Sequence, residues 1–237
     1  MKNLITRFVP KSLNSYHSVL ELRDHSKGKK ASMSQKEIRS AVKIAIIDDE
    51  KFKAHGNLTN YGYKIQELPD IKSLDQVRDF DVILCDLMGV GQNFDQAIGG
   101  ASIIKEVKEN YPTKFVIAYT GARANTTEAN AAKQFADDFL KKDDEITKWV
   151  KKLDYAIDFA SDPYERWLVT RQGLIDLEVD LRQIVELESA YVEAIETNDQ
   201  DFSGMQEILG KVDLGGNAKG IVQSLIASGI WAIVFAA

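Results

Sequence analysis

Asp81–Gly91 reads DVILCDLMGVG, an apolar run that stops on one aspartate, Asp86, and gives way to a glycine-rich loop. Val82 to Cys85 is short, continuous and flanked by polar residues, the pattern of a strand buried on both faces of a parallel sheet. Ligands of open α/β sheets sit beyond the carboxyl ends of such strands, which places Asp86 where chemistry is done. A carboxylate there can also cap a helix or close a turn.

The same alternation runs outward on both sides. Val42–Ile47 is a β-branched run stopping at Asp48, Asp49 and Glu50, and Tyr63–Leu68 is a weaker strand after a short helical segment near Phe52–Thr59. A brief helix is expected at Ser73–Asp79. Ala101–Asn110 is an amphipathic helix stopped before Pro112, and Phe115–Tyr119 a strand ending on Thr120-Gly121. Thr126–Phe135 reads as helix, Asp138–Leu140 as a fifth strand and Glu145–Ala160 as helix. This pattern predicts a doubly wound, five-stranded parallel sheet with helices on both faces. It divides the chain into an N-terminal helix and basic linker (1–41), an α/β domain (42–160) and an all-helical extension (161–237).

Charge follows that division. Residues 1–41 carry nine Lys/Arg against three Asp/Glu, and residues 154–237 five against fifteen, within a net charge of −6. The acidic tail argues against nucleic acid as a partner. Cys85 is the sole cysteine, which rules out an internal disulfide and, with no secretory signal at the start, suits a cytoplasmic protein.

At the front, Leu13, Tyr16, His17, Val19 and Leu20 share one helical face, with a flexible connection at Ser26–Ser34. His17 is expected to be a partly buried helix residue, since no second catalytic group surrounds it. In the extension, Asp162-Pro163 followed by Glu165 signals a helix start. The helix is expected to run to about Thr197. Leu174, Leu177, Leu181, Ile184, Tyr191 and Ile195 form a seam for another helix, interrupted by Glu188, and predict a coiled-coil homodimer. Ile221–Ala237 is nearly all apolar. It is read as the buried helix of a bundle, with a membrane-spanning or membrane-inserting helix as the alternative.

The strand ends carry Asp48 and Asp49, Asp86, Thr120 and Lys142, and a parallel sheet gathers them on one edge. Crowded carboxylates repel unless a cation joins them, and hard oxygen ligands with open water positions suit Mg²⁺. Such a metal beside an ammonium and a hydroxyl can hold a phosphoryl group, with Asp86 as nucleophile forming an acyl phosphate. Taken singly, Asp48 or Asp49 could be a cap, Thr120 a turn hydroxyl, and Lys141 and Lys142 solvated charges.

Together these segments resemble a response-regulator receiver domain of two-component signalling: KIAIIDDE its first strand and acidic pair, DVILCDLM its phospho-acceptor strand, VIAYTGA the strand with the switch hydroxyl, ADDFLKKD the segment ending in its lysine. The resemblance implies metal ligation by Asp48, Asp49, Asp86 and the Met88 carbonyl. It also implies a phospho-acceptor at Asp86, a phosphate contact from Lys142, and a switch pair of Thr120 and Phe139. A histidine kinase or phosphotransfer protein is the implied partner. Turnover is not expected beyond self-catalysed phosphoryl transfer and dephosphorylation. A receiver-like scaffold without the chemistry is the alternative. Three departures stand out: Asp143 where the family has proline, a long loop GVGQNFDQAIGG that could form a lid, and a short first helix.

Overall fold

The computed structural model describes residues 16–23, 33–121, 126–228 and 231–235. Its centre is a parallel sheet of β1 (Lys43–Ile47), β2 (Lys64–Leu68), β3 (Val82–Asp86), β4 (Phe115–Thr120) and β5 (Asp138–Lys141), in the order β2-β1-β3-β4-β5. That is the doubly wound, flavodoxin-like arrangement, whose order reverses between β1 and β3. β3 and β4 are buried at every residue, which is why they read as unbroken apolar runs, whereas the edge strand β2 exposes most of its length.

Strand periodicity divides the core. Ile44, Ile46, Leu84 and Ile117 face one way, against Trp149 and Leu153 of α5 (Ile146–Ala160). Ala45, Ile47, Ile83, Cys85 and Val116 face the other, against Ile103, Ile104 and Val107 of α3 (Gly100–Asn110). Three shorter helices, α1 (Gln35–Ala41), α2 (His55–Asn60) and α4 (Thr127–Ala132), complete this half.

The front of the chain differs from expectation. Leu13 lies outside the described residues. Among the described residues 16–23 the helical element is a 3₁₀ turn, Val19–Leu22, started by a capping box between Ser18 and Glu21. That cap sets the phase, so Val19 and Leu22 are buried while Tyr16 and Leu20 are exposed. His17 is partly buried, within 3.4 Å of Glu21 and 3.5 Å of Glu196. A second capping box, Ser34 with Glu37, opens α1 inside the stretch read as linker. α1 holds the sheet edge through Arg39, whose Nε and Nη2 donate to Asp154 at 2.8 and 2.7 Å, while Tyr63 donates to the same carboxylate.

The helix expected from Pro163 to Thr197 is two helices, α6 (Pro163–Asp176) and α7 (Leu181–Thr197). The Val179 N–H closes back onto the Leu174 carbonyl, Glu178 adopts φ +56°, and Asp180 caps a new helix through the Arg182 N–H. The seam is therefore used within the chain. Leu174, Ile184, Tyr191 and Ile195 are buried, while Leu177 and Leu181, the latter 70% exposed, sit at the corner. Glu188, which broke the apolar stripe, is buried and accepts from Tyr16 Oη, the Val19 N–H and Trp167 Nε1. It ties both helices to the front of the chain.

Further on are α8 (Ser203–Lys211), α9 (Gly216–Ile226) and α10 (Trp231–Val234). The apolar stretch from Ile221 is not one helix. Trp231 Nε1 donates 3.0 Å bonds to the Leu225 and Ile226 carbonyls, satisfying the end of α9 and folding the chain back on it. No helix of the described residues is long and apolar enough to cross a membrane. Ile221, Val222 and Leu225 are buried, as the bundle reading expected.

The extension meets the sheet at the amino-terminal rim of the strands. There Asp81, which precedes β3, accepts from Ser228 and lies 3.7 Å from the buried guanidinium of Arg166 in α6. One apolar cluster runs from Ile44 and Leu84 through Trp167 to Trp231.

Candidate functional site

The opposite rim gathers the strand ends. Ile47 pairs with Cys85, so the next residues, Asp48 and Asp86, emerge side by side. Thr120 pairs with Lys141, and the Lys142 N–H donates to the Thr120 carbonyl at 3.1 Å, which turns the lysine side chain back over the rim. Its Nζ lies 2.6 Å from Asp86 Oδ2, 3.1 Å from Asp48 Oδ2 and 3.9 Å from Glu50. Asp86 is only 2% exposed, and its Oδ1 accepts from the Leu87 N–H at 2.7 Å. Asp48 accepts from the Glu50 N–H at 2.9 Å and, on its other oxygen, from Tyr119 Oη at 2.6 Å.

Burial and the neighbouring Asp48 charge push the Asp86 carboxyl above its ordinary value, against the hydrogen bond and charge of Lys142, which pull it down. Burial alone would depress Lys142. The two carboxylates outweigh it and hold the ammonium above its usual range. Tyr119 is kept neutral, its phenol raised first by burial and then by the hydrogen bond to Asp48.

Oxygen atoms of Asp48, Asp49 and Asp86 lie within 4.8 Å of one another. An open cavity of about 290 Å³ is bounded by Asp49, Glu50, Asp86, Met88, Gly89, Gly121 and Lys142. Three hard carboxylate donors beside open space fit a hexacoordinate, partly hydrated divalent ion such as Mg²⁺. Gly89, at φ +78°, makes the cradle: a Cβ there would overlap the Asp49 carboxylate.

The structure thus brings together five of the residues singled out from the sequence: Asp48, Asp49, Asp86, Met88 and Lys142. Thr120 is buried at the tip of β4 beside them. Phe139 does not enter the cavity; opposite Ala118 on β5, it packs half-buried against the second core cluster. The long loop is not a lid on this cavity, which only Gly89 of that stretch lines. Asp70 draws the loop aside, accepting from the Gly91 and Gln92 N–H groups at 2.7 and 3.1 Å. Where Asp143 replaces proline, the turn is closed by Asp144, which accepts from the Lys141 N–H at 2.8 Å and donates its own N–H to the Lys141 carbonyl at 3.1 Å.

Three participants were not singled out from the sequence. Glu50 was read as part of the acidic end of β1 but given no role. Gly100 has its backbone against the Asp86 carbonyl, where a Cβ would overlap. Tyr119 is the third. Its hydroxyl reaches the carboxylates only because the ring lies in an aromatic cluster, 5.9 Å from Phe52 and 5.7 Å from Trp149. A tyrosine directly before a strand-end threonine was the available signal.

Sheet order and the acidic rim together define the class of fold: a flavodoxin-like receiver fold carrying a helical extension. Among solved structures the chain is similar to NtrX from Brucella abortus, at 20% identity and TM-score 0.42, covering 50% of this chain and 27% of that one. It is also similar to the receiver domain of NtrX from the same organism (21%, TM-score 0.41, covering 48% of this chain and 98% of that one). A third likeness is to the N-terminal signal receiver domain of a two-component response regulator from Bacteroides fragilis (25%, TM-score 0.40, 48% and 95%). No family profile and no curated protein matches the sequence.

Proposed function

We propose that this chain is a response regulator that accepts a phosphoryl group on Asp86 from a histidine kinase or phosphotransfer protein. The observation that carries the reading is Lys142 Nζ bridging Asp86 and Asp48, with Asp49 completing a three-carboxylate cluster beside open space. In the reaction, an Asp86 carboxylate oxygen attacks phosphorus and the bond from phosphorus to the donor's imidazole nitrogen breaks, that nitrogen keeping the electron pair and taking a proton. Lys142 moves with the phosphoryl oxygens and balances their charge. Asp48 and Asp49, with Asp86 and the Met88 carbonyl, would hold Mg²⁺, which when bound neutralises charge developing on the transferred group. Thr120 then closes on the phosphoryl group and Phe139 moves with it, changing the surface offered to a partner.

Labelling with a small phosphoryl donor such as acetyl phosphate, with Mg²⁺ and with EDTA, tests this. Wild type is expected to gain an acid- and hydroxylamine-sensitive label in Mg²⁺ alone, and Asp86→Ala none; equal labelling of the two removes the proposal.

A constitutive scaffold is the second reading. It is favoured by the core that sheet and extension share, which ties the extension to the rim opposite Asp86. A folded wild type that never labels supports it. Self-association is part of either reading, with Ile175, Leu177, Leu181 and Val185 exposed around the α6–α7 corner. Sedimentation as a monomer at high concentration, unchanged by a phosphoryl mimic, excludes it.

A further inference from the structure

A cavity of about 670 Å³, unrelated to the acidic rim, opens where the extension meets the sheet half, within the size range of small-ligand sites. Its walls come from the stretch before β3, the end of α3, α8 and α9. No Asp or Glu lines it, although residues 154–237 carry fifteen acids against five bases. The charges that do are Arg78 and Lys219. Arg78 has Asp75 as an ion-pair partner; among the described residues Lys219 has none. A cationic pocket in the acidic third of an acidic chain selects for anions.

Two further features aim at such an anion. The N-terminus of α9, an eleven-residue helix entered through Gly215 and Gly216, has no side-chain cap, and Gly216 and Asn217 lie on the cavity wall. Uncapped first-turn N–H groups and the helix dipole favour a phosphate or carboxylate. Independently, Ser224 lines the cavity about two turns further along α9, is only 8% exposed, and among the described residues its hydroxyl has no hydrogen-bond partner. A buried hydroxyl without a partner costs free energy that a ligand oxygen would recover. The rest of the wall is Tyr111 and the carboxamides of Asn110, Gln206 and Gln223, too large and too rich in donors and acceptors for an inorganic anion alone.

We propose that this junction binds a small phosphorylated metabolite, a sugar or nucleoside monophosphate, with the phosphate at the N-terminus of α9 between Lys219 and Arg78 and the hydroxylated body against Ser224 and the carboxamides. The bound molecule bridges α3 to α8 and α9, and so joins the two halves of the chain. The site does not depend on phosphoryl transfer at Asp86.

Calorimetry on the full chain in EDTA, with inorganic phosphate, ribose 5-phosphate, AMP, ribose and adenosine as separate probes, tests it. Ribose 5-phosphate or AMP is expected to bind below about 1 mM, at least tenfold tighter than its unphosphorylated counterpart and than inorganic phosphate. Lys219→Glu, a change at an exposed position that leaves the thermal midpoint of the free protein unchanged, is expected to weaken binding about tenfold. Ser224→Ala should weaken it about threefold. Asp86→Ala should leave it unchanged. The proposal is overturned if no phosphorylated probe binds, if inorganic phosphate binds as tightly as the esters, or if Asp86→Ala abolishes binding that Lys219→Glu retains.

Discussion

Replacing Lys142 with methionine keeps an unbranched, flexible side chain one atom shorter and removes the charge that holds Asp86 and Asp48 together. At the observed 2.6 and 3.1 Å, and an effective dielectric of about 20, the two attractions are worth about 6 and about 5 kcal/mol before desolvation. Most of that offsets the cost of taking the three groups out of water, and breaking one side of a buried pair typically leaves a net loss of about 3–5 kcal/mol. The ammonium is 30% exposed, and Asp48 keeps the Tyr119 hydroxyl and the Glu50 N–H, so the lower end applies, about 3 kcal/mol. In a chain of this size that lowers the thermal midpoint by about 6–12 °C in EDTA. A divalent ion supplies the missing positive charge, so Mg²⁺ at about one hundred times its dissociation constant should return about 2.7 kcal/mol to the variant. The assay is thermal or urea unfolding of wild type and Lys142→Met at pH 7, with EDTA and across a Mg²⁺ titration. A variant as stable as wild type in EDTA, or one that Mg²⁺ does not stabilise, would refute the idea that this lysine compensates a metal-ligating carboxylate cluster.

Gly89→Ala places a Cβ on the Asp49 carboxylate at a backbone angle costing about 1–2 kcal/mol for an L residue. Mg²⁺ affinity, followed by Trp149 fluorescence, should fall at least about tenfold because one ligand is displaced; unchanged affinity would detach Asp49 from the metal site. Stability should depend on pH through Lys114. Burial lowers its ammonium to about 8, with Arg78 and Arg166 adding to the effect and Asp81 and Asp79 opposing it, while Tyr111 covers it at 5.1 Å. Between that value and the ordinary 10.5 the unfolded chain binds the extra proton, so this lysine makes stability rise with pH by about 1.4 kcal/mol per unit, a rise that buried Cys85, whose thiol stays protonated in the fold while its unfolded counterpart ionises, offsets above about pH 9. Above about pH 10 it should fall, since buried Tyr63, Tyr119 and Tyr191 stay protonated in the fold while their unfolded counterparts ionise. Urea unfolding of wild type and Lys114→Met from pH 7 to 11 checks both limbs, and a rise that persists in the variant would clear Lys114.

The sheet was readable because its central strands are buried on both faces, and such strands announce themselves as short apolar runs ending on polar residues. Asp48 and Asp86 were readable for the same reason, since each stands where such a run stops, whereas Lys142, one residue past the partly buried β5, was picked from its lysine pair by the family resemblance. What the sequence did not show depends on side chains arriving from elsewhere. Nothing near Glu188 indicates that Tyr16 and Trp167 will share its carboxylate, so it looked like a flaw in a seam instead of the pin of a hairpin. The break at Glu178–Asp180 was present as an aspartate four residues after Asp176, yet the apolar spacing runs smoothly through it and outvoted the cap. In the same way, continuous hydrophobicity from Ile221 concealed the reversal after Ile226, which Trp231 makes through two backbone carbonyls. Ser18 and Ser34, each followed three positions later by glutamate, were legible caps passed over in a basic stretch. Tyr119 counted as one more β-former until the position of its hydroxyl was known.

The grip of the extension on Asp81 bears on how this chain can be taken apart. A cut after Ala160 would strip away the guanidinium and the serine that accompany that aspartate, and would leave the Ile44 and Leu84 side of the sheet without the indoles of Trp167 and Trp231 that continue its oil. The helices, for their part, would lose the wall against which they close. Neither piece is a cassette to be shuffled onto a foreign partner: a transplant that moves one without the other carries an unhealed surface, and only the joined pair offers a clean exterior.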